Sequence, residues 1–62
     1  MTNTIKVERA KMNITQKDLA EKIKVSKQTI HSIETARFVP SVEIALKLAH
    51  FFNTNVESIF EL

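Results

Sequence analysis

Apolar positions along this chain recur at intervals of three and four, the helical spacing, rather than two. Ile5, Arg9 and Met12 fall on one face of a first segment, Leu19, Ala20 and Ile23 on one face of a second, and Ile30 and Ile33 on one face of a third. Each periodic segment follows a side chain of the N-cap type: Asn3, Thr15, Ser26, Ser41 and Asn55. Thr15 is followed three residues later by Asp18, a variant of the capping box. Glycine is absent, and Asn13 and Asn53 stand where a left-handed C-cap is needed. The pattern predicts five helices, at about 4–12, 16–23, 27–36, 42–52 and 56–61. No run alternates long enough to predict a strand, so the expected class is all-α in a single domain spanning residues 1–62.

The fourth segment is unusual in its width of apolar surface. Val42, Ile44, Ala45, Leu46, Leu48, Ala49, Phe51 and Phe52 cover roughly 220° of its circumference, and only Glu43, Lys47 and His50 share the wet side. Such a helix must be packed on two sides, with the last helix and a second subunit as candidates. The first helix has the opposite problem, because Arg9 lies in an otherwise apolar stripe and needs a partner.

Composition and charge restrict the function. A chain of 62 residues and 7.1 kDa buries only about 60% of its unfolded surface, and without cysteine it has no disulfide to compensate. The charged residues Lys6, Glu8, Arg9 and Lys11 interrupt the amino-terminal segment, and no apolar run has the length of a membrane span. A soluble cytoplasmic chain is expected. Residues 1–37 carry eight basic side chains against four acidic ones, a net of +4, whereas residues 38–62 carry one against three, a net of −2. An anion would therefore bind the amino-terminal part. No cysteine nucleophile, glycine-rich phosphate loop or metal cluster is present, since His31 and His50 stand far apart, so neither an enzyme nor a cofactor is expected.

The third segment carries the most specific chemistry. With Lys27 at zero and about 100° per residue, His31 falls near 40°, Thr35 near 80°, Gln28 near 100° and Ser32 near 140°. Ile30 and Ile33 lie opposite, and Glu34, at about 340°, is placed to turn inward beside Ile30. The outer face holds hydrogen-bonding side chains and no carboxylate. Two readings fit it. Lysine can donate to guanine O6 and N7, glutamine can pair with adenine N6 and N7, and serine can serve either, which suits a DNA groove. An ordinary solvated helix face would also exclude apolar groups, although such faces more often contain glutamate.

The stretch from Thr15-Gln16-Lys17-Asp18-Leu19-Ala20 through Val25-Ser26-Lys27-Gln28-Thr29-Ile30 to Ile33-Glu34 resembles the helix-turn-helix of the Cro/C1-type (XRE) repressor family. The similarity continues through Val39-Pro40-Ser41 and Ala45-Leu46-Lys47-Leu48-Ala49 to Asn55-Val56-Glu57-Ser58-Ile59-Phe60. It implies a compact five-helix, lambda-repressor-like domain with the helix-turn-helix at helices 2 and 3. It further implies that the third helix enters the major groove of double-stranded DNA. By this resemblance Lys27, Gln28 and Ser32 match base-reading positions, with His31 on the same face. Thr15, Gln16, Lys17, Ser26, Thr29, Thr35 and Arg37 match or flank backbone-contacting positions, Thr15 and Ser26 being equally readable as plain caps. The family also pairs an arginine at Arg9 with a glutamate at Glu34, a structural ion pair.

Three positions depart from the family pattern. Lys24 and Ala36 replace glycines, at a cost of about 1 kcal/mol wherever the backbone is left-handed. Glu8 occupies an often apolar position, with Val7 expected to supply apolar packing in its place. A single recognition helix reads few base pairs, so a homodimer on a pseudo-palindrome is expected, with half-sites about 34 Å apart. Phe51, Phe52, Val56, Ile59, Phe60 and Leu62 are its candidate interface, or else they complete the monomer core. The expected protein is a repressor, nucleoid-associated, acting by promoter occupancy without a small-molecule ligand. A different class of function also fits: a protein-interaction module, such as an antitoxin, that holds its partner with the apolar helices 4 and 5.

Overall fold

The computed structural model describes residues 1–62. The order is β1 (Thr2–Asn3), α1 (Ile5–Met12), α2 (Gln16–Ile23), α3 (Lys27–Glu34), α4 (Val42–Phe51), α5 (Val56–Ile59) and β2 (Phe60–Glu61). The caps explain the starts. Thr15 Oγ1 accepts from the N–H of Asp18 while the Asp18 carboxylate accepts from the N–H of Thr15, both at 3.0 Å, closing a reciprocal capping box. Ser26, Ser41 and Asn55 each accept from the N–H three residues on, at 3.0, 3.2 and 2.9 Å. Asn3 is displaced from the expected role. Thr4 occupies the cap position without a side-chain bond, while Asn3 Oδ1 accepts the N–H of Ile5 at 3.2 Å.

Two helices stop two residues short of their expected ends, and α4 stops one residue short, at Phe51. After α3 the N–H groups of Arg37 and Phe38 both bond back to the carbonyl of Ser32, which forces Ala36 to a φ of 61° and ends the helix at Glu34. After α5 the chain turns extended, and Phe60 and Glu61 pair antiparallel with Asn3 and Thr2. The all-helical expectation is therefore amended by one short two-stranded ladder, which ties the two ends of the chain together.

All five helices feed one core: Ile5 from α1, Leu19, Ala20 and Ile23 from α2, Ile30 and Ile33 from α3, Leu48 and Ala49 from α4, and Ile59 from α5. Burying each isoleucine side chain stabilises the fold by about 1.5–3 kcal/mol. Met12, expected on the apolar stripe of α1, is exposed. Val7 is exposed as well, so it does not supply the packing expected of it beside Glu8. Glu8 itself lies half-buried, 3.4 Å from Lys11. The wide apolar surface of α4 is covered by α2 on one side and α5 on the other, which leaves Val42 and Leu46 uncovered.

Four residues without a glycine's freedom take left-handed backbone: Asn13, Lys24, Ala36 and Asn53, with φ of 56–62°. Asparagine takes this conformation readily, whereas alanine and lysine take it at a cost of about 1 kcal/mol each. Replacing Ala36 with glycine is expected to raise Tm by roughly 2–6 °C, relief of backbone strain exceeding the entropy added to the unfolded chain. Thermal melts followed by circular dichroism decide this, and an unchanged or lower Tm would contradict the strain at Ala36.

Candidate nucleic-acid interface

The helix pair α2 and α3 is separated by three residues, of which Lys24 is left-handed and Ser26 caps α3. Leu19, Ala20 and Ile23 pack with Ile30 and Ile33 in the common core, so α3 turns only its apolar edge inward. The outer edge presents Lys27, Gln28 and His31 to solvent, with Ser32 half-buried beside them. No hydrogen bond within the chain engages the side chains of Lys27, Gln28 or Ser32, which are free to meet an external partner. Arg37 comes from the following loop into a shallow concavity of about 340 Å³ that it shares with Gln28, Thr29 and Ser32. The Arg37 and Phe38 bonds to Ser32 hold it there.

Behind this face lies a polar clamp. Arg9 Nε and Nη2 donate to the two carboxylate oxygens of Glu34 at 2.6 and 3.0 Å, and Arg9 Nη1 donates to the carbonyl of Ile14 at 3.1 Å. The pair is nearly enclosed, with side chains 14% and 6% exposed. The hydrogen bonds to Glu34 raise the Arg9 pKa further above the usual arginine range, outweighing the opposing effect of burial, so the charge persists at any working pH. Asn3 adds a bond from Nδ2 to the carbonyl of Ile33 at 2.9 Å. The clamp thus fixes the end of α3 to α1 and to the amino-terminal strand.

Gln16 belongs to the same network, a role its position in the sequence did not disclose. Its Nε2 donates to Glu34 Oε1 at 3.1 Å and lies 3.4 Å from Nδ1 of His31. In this arrangement the amide bridges Glu34 and the exposed His31, so contact with a phosphate, as the family resemblance implies, would require it to turn. At the start of α2 the backbone N–H groups of Gln16 and Lys17 have no intrahelical partner, and they suit an anion. Exposed Lys17 adds a charge beside them.

The hydroxyls divide in the same way. Thr15 and Ser26 serve as caps, and Thr29 Oγ1 sits 2.8 Å from Ser26 Oγ. Thr35 donates its hydroxyl to the carbonyl of His31 at 2.9 Å, so contact with a phosphate would require a rotation. Backbone and side-chain bonds to Thr15 hold the Asp18 carboxyl below the usual carboxylate range. Its contribution to stability is present above that range and disappears as pH falls through the lowered value.

Of the apolar residues expected at a dimer interface, Ile59 is buried in the core. Phe51, Phe52, Val56 and Phe60 are half-buried against that core, and Leu62 is fully exposed. The sequence missed the exposed apolar residues Phe38, Val39 and Val42 around the start of α4. Their exposure depends on where α4 crosses the core, which no local window contains.

Two short helices joined by a tight turn, the second offering unpaired donors from a clamped position, define a helix-turn-helix domain. The chain matches a helix-turn-helix family model over residues 5–59, and it belongs to the Cro/C1-type (XRE) helix-turn-helix family, a family of DNA-binding transcription regulators. It is 48% identical over 60 residues to the uncharacterized HTH-type transcriptional regulator MJ0272 of Methanocaldococcus jannaschii, covering 97% of this chain and 91% of that one. An uncharacterized HTH-type transcriptional regulator of Archaeoglobus fulgidus is 42% identical, over 97% and 84% of the two chains. YgzD of Bacillus subtilis, of the same description, is 37% identical over 100% and 94%. No helix of the chain is long and apolar enough to cross a membrane.

Proposed function

We propose that this protein binds double-stranded DNA sequence-specifically as a homodimer and represses transcription by occupying a pseudo-palindromic operator. The observation that carries this reading is the donor set on α3. Lys27, Gln28 and Ser32 have no internal partner, His31 stands among them, and the one carboxylate of the helix is turned inward onto Arg9. Eight residues of helix span about 12 Å, close to the width of the major groove. Lys27, Gln28, His31 and Ser32 read base edges. Lys17, Arg37 and the free N–H groups at the start of α2 hold the phosphates, with Thr15, Ser26, Thr29 and Thr35 flanking them. The curated relatives, described as transcriptional regulators, support the same role.

Size supports the dimer. The longest extent of the domain is 26 Å, less than the roughly 34 Å between successive major grooves on one side of DNA. One copy reads a half-site, and a second copy is needed for the next groove. Leu62, with half-buried Phe60 two residues before it, offers apolar surface for that contact, while Ile59 is excluded by its place in the core.

Salt dependence tests the phosphate assignment. Lys17→Ala is expected to weaken binding uniformly across sequences and to reduce the slope of log affinity against log salt by about 0.9 per copy. An unchanged slope in a fluorescence-anisotropy titration would remove Lys17 from the interface.

A further inference from the structure

A groove of about 730 Å³ opens between the end of α2 and the outer side of α4. Its apolar surface comes from Ile23, Leu46 and Phe51, and Leu46 is 56% exposed. Lys22, Lys24 and Lys47 surround it. Glu43 is the one carboxylate on the wall, 3.4 Å from Lys47, so the groove carries a net charge of +2 with His50 neutral. Lys47 also reaches the carbonyl of Ile23 at 3.5 Å, which places its ammonium at the end of α2.

Lys24 supplies an independent observation. It sits in left-handed backbone with φ of 62°, where a glycine would relieve about 1 kcal/mol. Its side chain lines the groove's edge, so a position where the backbone alone would favour glycine adds an ammonium to the wall.

We propose that this groove binds an acidic amphipathic helix of another protein, with apolar side chains seated against Leu46 and Phe51 and carboxylates facing the three lysines. The volume lies within the roughly 300–1,000 Å³ of ordinary binding pockets. Helix-in-groove recognition of this kind uses apolar anchors three and four residues apart. Nucleic acid is a poorer occupant, because the apolar floor offers a phosphate nothing. A second copy of this chain is poorer as well. Its acidic apolar segment, Glu57 to Leu62, keeps Ile59 in the core and Phe60 in the strand pair.

The probe is a fluorescein-labelled helical peptide with leucine and phenylalanine four residues apart among glutamates, paired with a matched peptide carrying glutamine for glutamate. The acidic peptide is expected to bind at least about tenfold more tightly than its glutamine counterpart and to shift the amide resonances of Ile23, Leu46 and Phe51. Leu46→Glu, at an exposed position, should weaken it about tenfold or more with Tm unchanged. Lys24→Gly should weaken it several-fold while raising Tm, which separates removal of the charge from damage to the fold.

No binding, equal binding of the two peptides, or resonance shifts elsewhere would overturn the proposal. Displacement of the peptide by duplex DNA would give the lysines to the nucleic acid. Peptide affinity that falls as the protein dimerises would give the groove to a second copy, and either result also overturns it. The groove does not depend on the DNA-binding role: peptide binding without any duplex binding would uphold this inference and contradict only the function proposed above.

Discussion

Glu34→Ala is expected to cost about 3–5 kcal/mol, because it leaves the guanidinium of Arg9 enclosed without its partner. A domain of this length has roughly 3–9 kcal/mol in total. The variant should therefore be largely unfolded at 37 °C, or melt roughly 15 °C or more below the parent. The size of the effect follows from the number of groups that converge on one carboxylate. Two Arg9 donors and one from Gln16 end on Glu34, and Arg9 also holds Ile14. Replacing both charges together, as in Arg9→Met with Glu34→Leu, should recover most of the stability, since a packed apolar pair of similar volume carries no desolvation cost. Chemical denaturation of the three proteins decides the matter. A loss below about 1 kcal/mol in Glu34→Ala would mean that solvent screens the pair and that the clamp does not fix α3.

Gln28→Ala is the complementary case, with a large effect on recognition and little on folding. The side chain is exposed and has no internal bond, so Tm should stay within a degree or two. Affinity for the preferred duplex should fall by about 1–3 kcal/mol, roughly 5- to 150-fold, while binding to unrelated duplexes is unchanged. Preference at a single position of each half-site should relax. Measured against Lys17→Ala, which weakens all sequences alike, this separates base reading from phosphate holding. Equal losses on preferred and unrelated DNA would contradict the assignment of Gln28.

The sequence made some parts of this structure easier to see than others. Helix α2 was legible in full because Thr15, Asp18 and the apolar triplet Leu19, Ala20 and Ile23 all specify the same segment. Glu34 was legible as an inward group from its place on the wheel, and its partner Arg9 from an otherwise apolar stripe and the family likeness. The two overrun helix ends share a different cause. Ala36 takes its left-handed backbone from bonds to Ser32, and Phe60 turns extended to meet Asn3 at the other end of the chain. At Ala36 only the family's preference for glycine pointed to the turn, and nothing in Phe60 itself signals the strand. The same holds for Gln16, whose amide is engaged by Glu34, a residue of another helix. The exposure of Met12, Val7 and Leu46 likewise depends on how the helices cross, whereas the donor face of α3 needed only the helical period.

The central claim is that two copies of α3 read a symmetric DNA site, and selection from a randomised duplex pool tests it most directly. The purified protein is mixed with the pool, bound duplexes are recovered at moderate and then high salt, and the survivors are sequenced. The expected result is one enriched, two-fold symmetric site with half-sites about 34 Å apart, and a preference that Gln28→Ala relaxes at one position in each half. Salt-sensitive retention with no enriched sequence, or no retention at all, would contradict it.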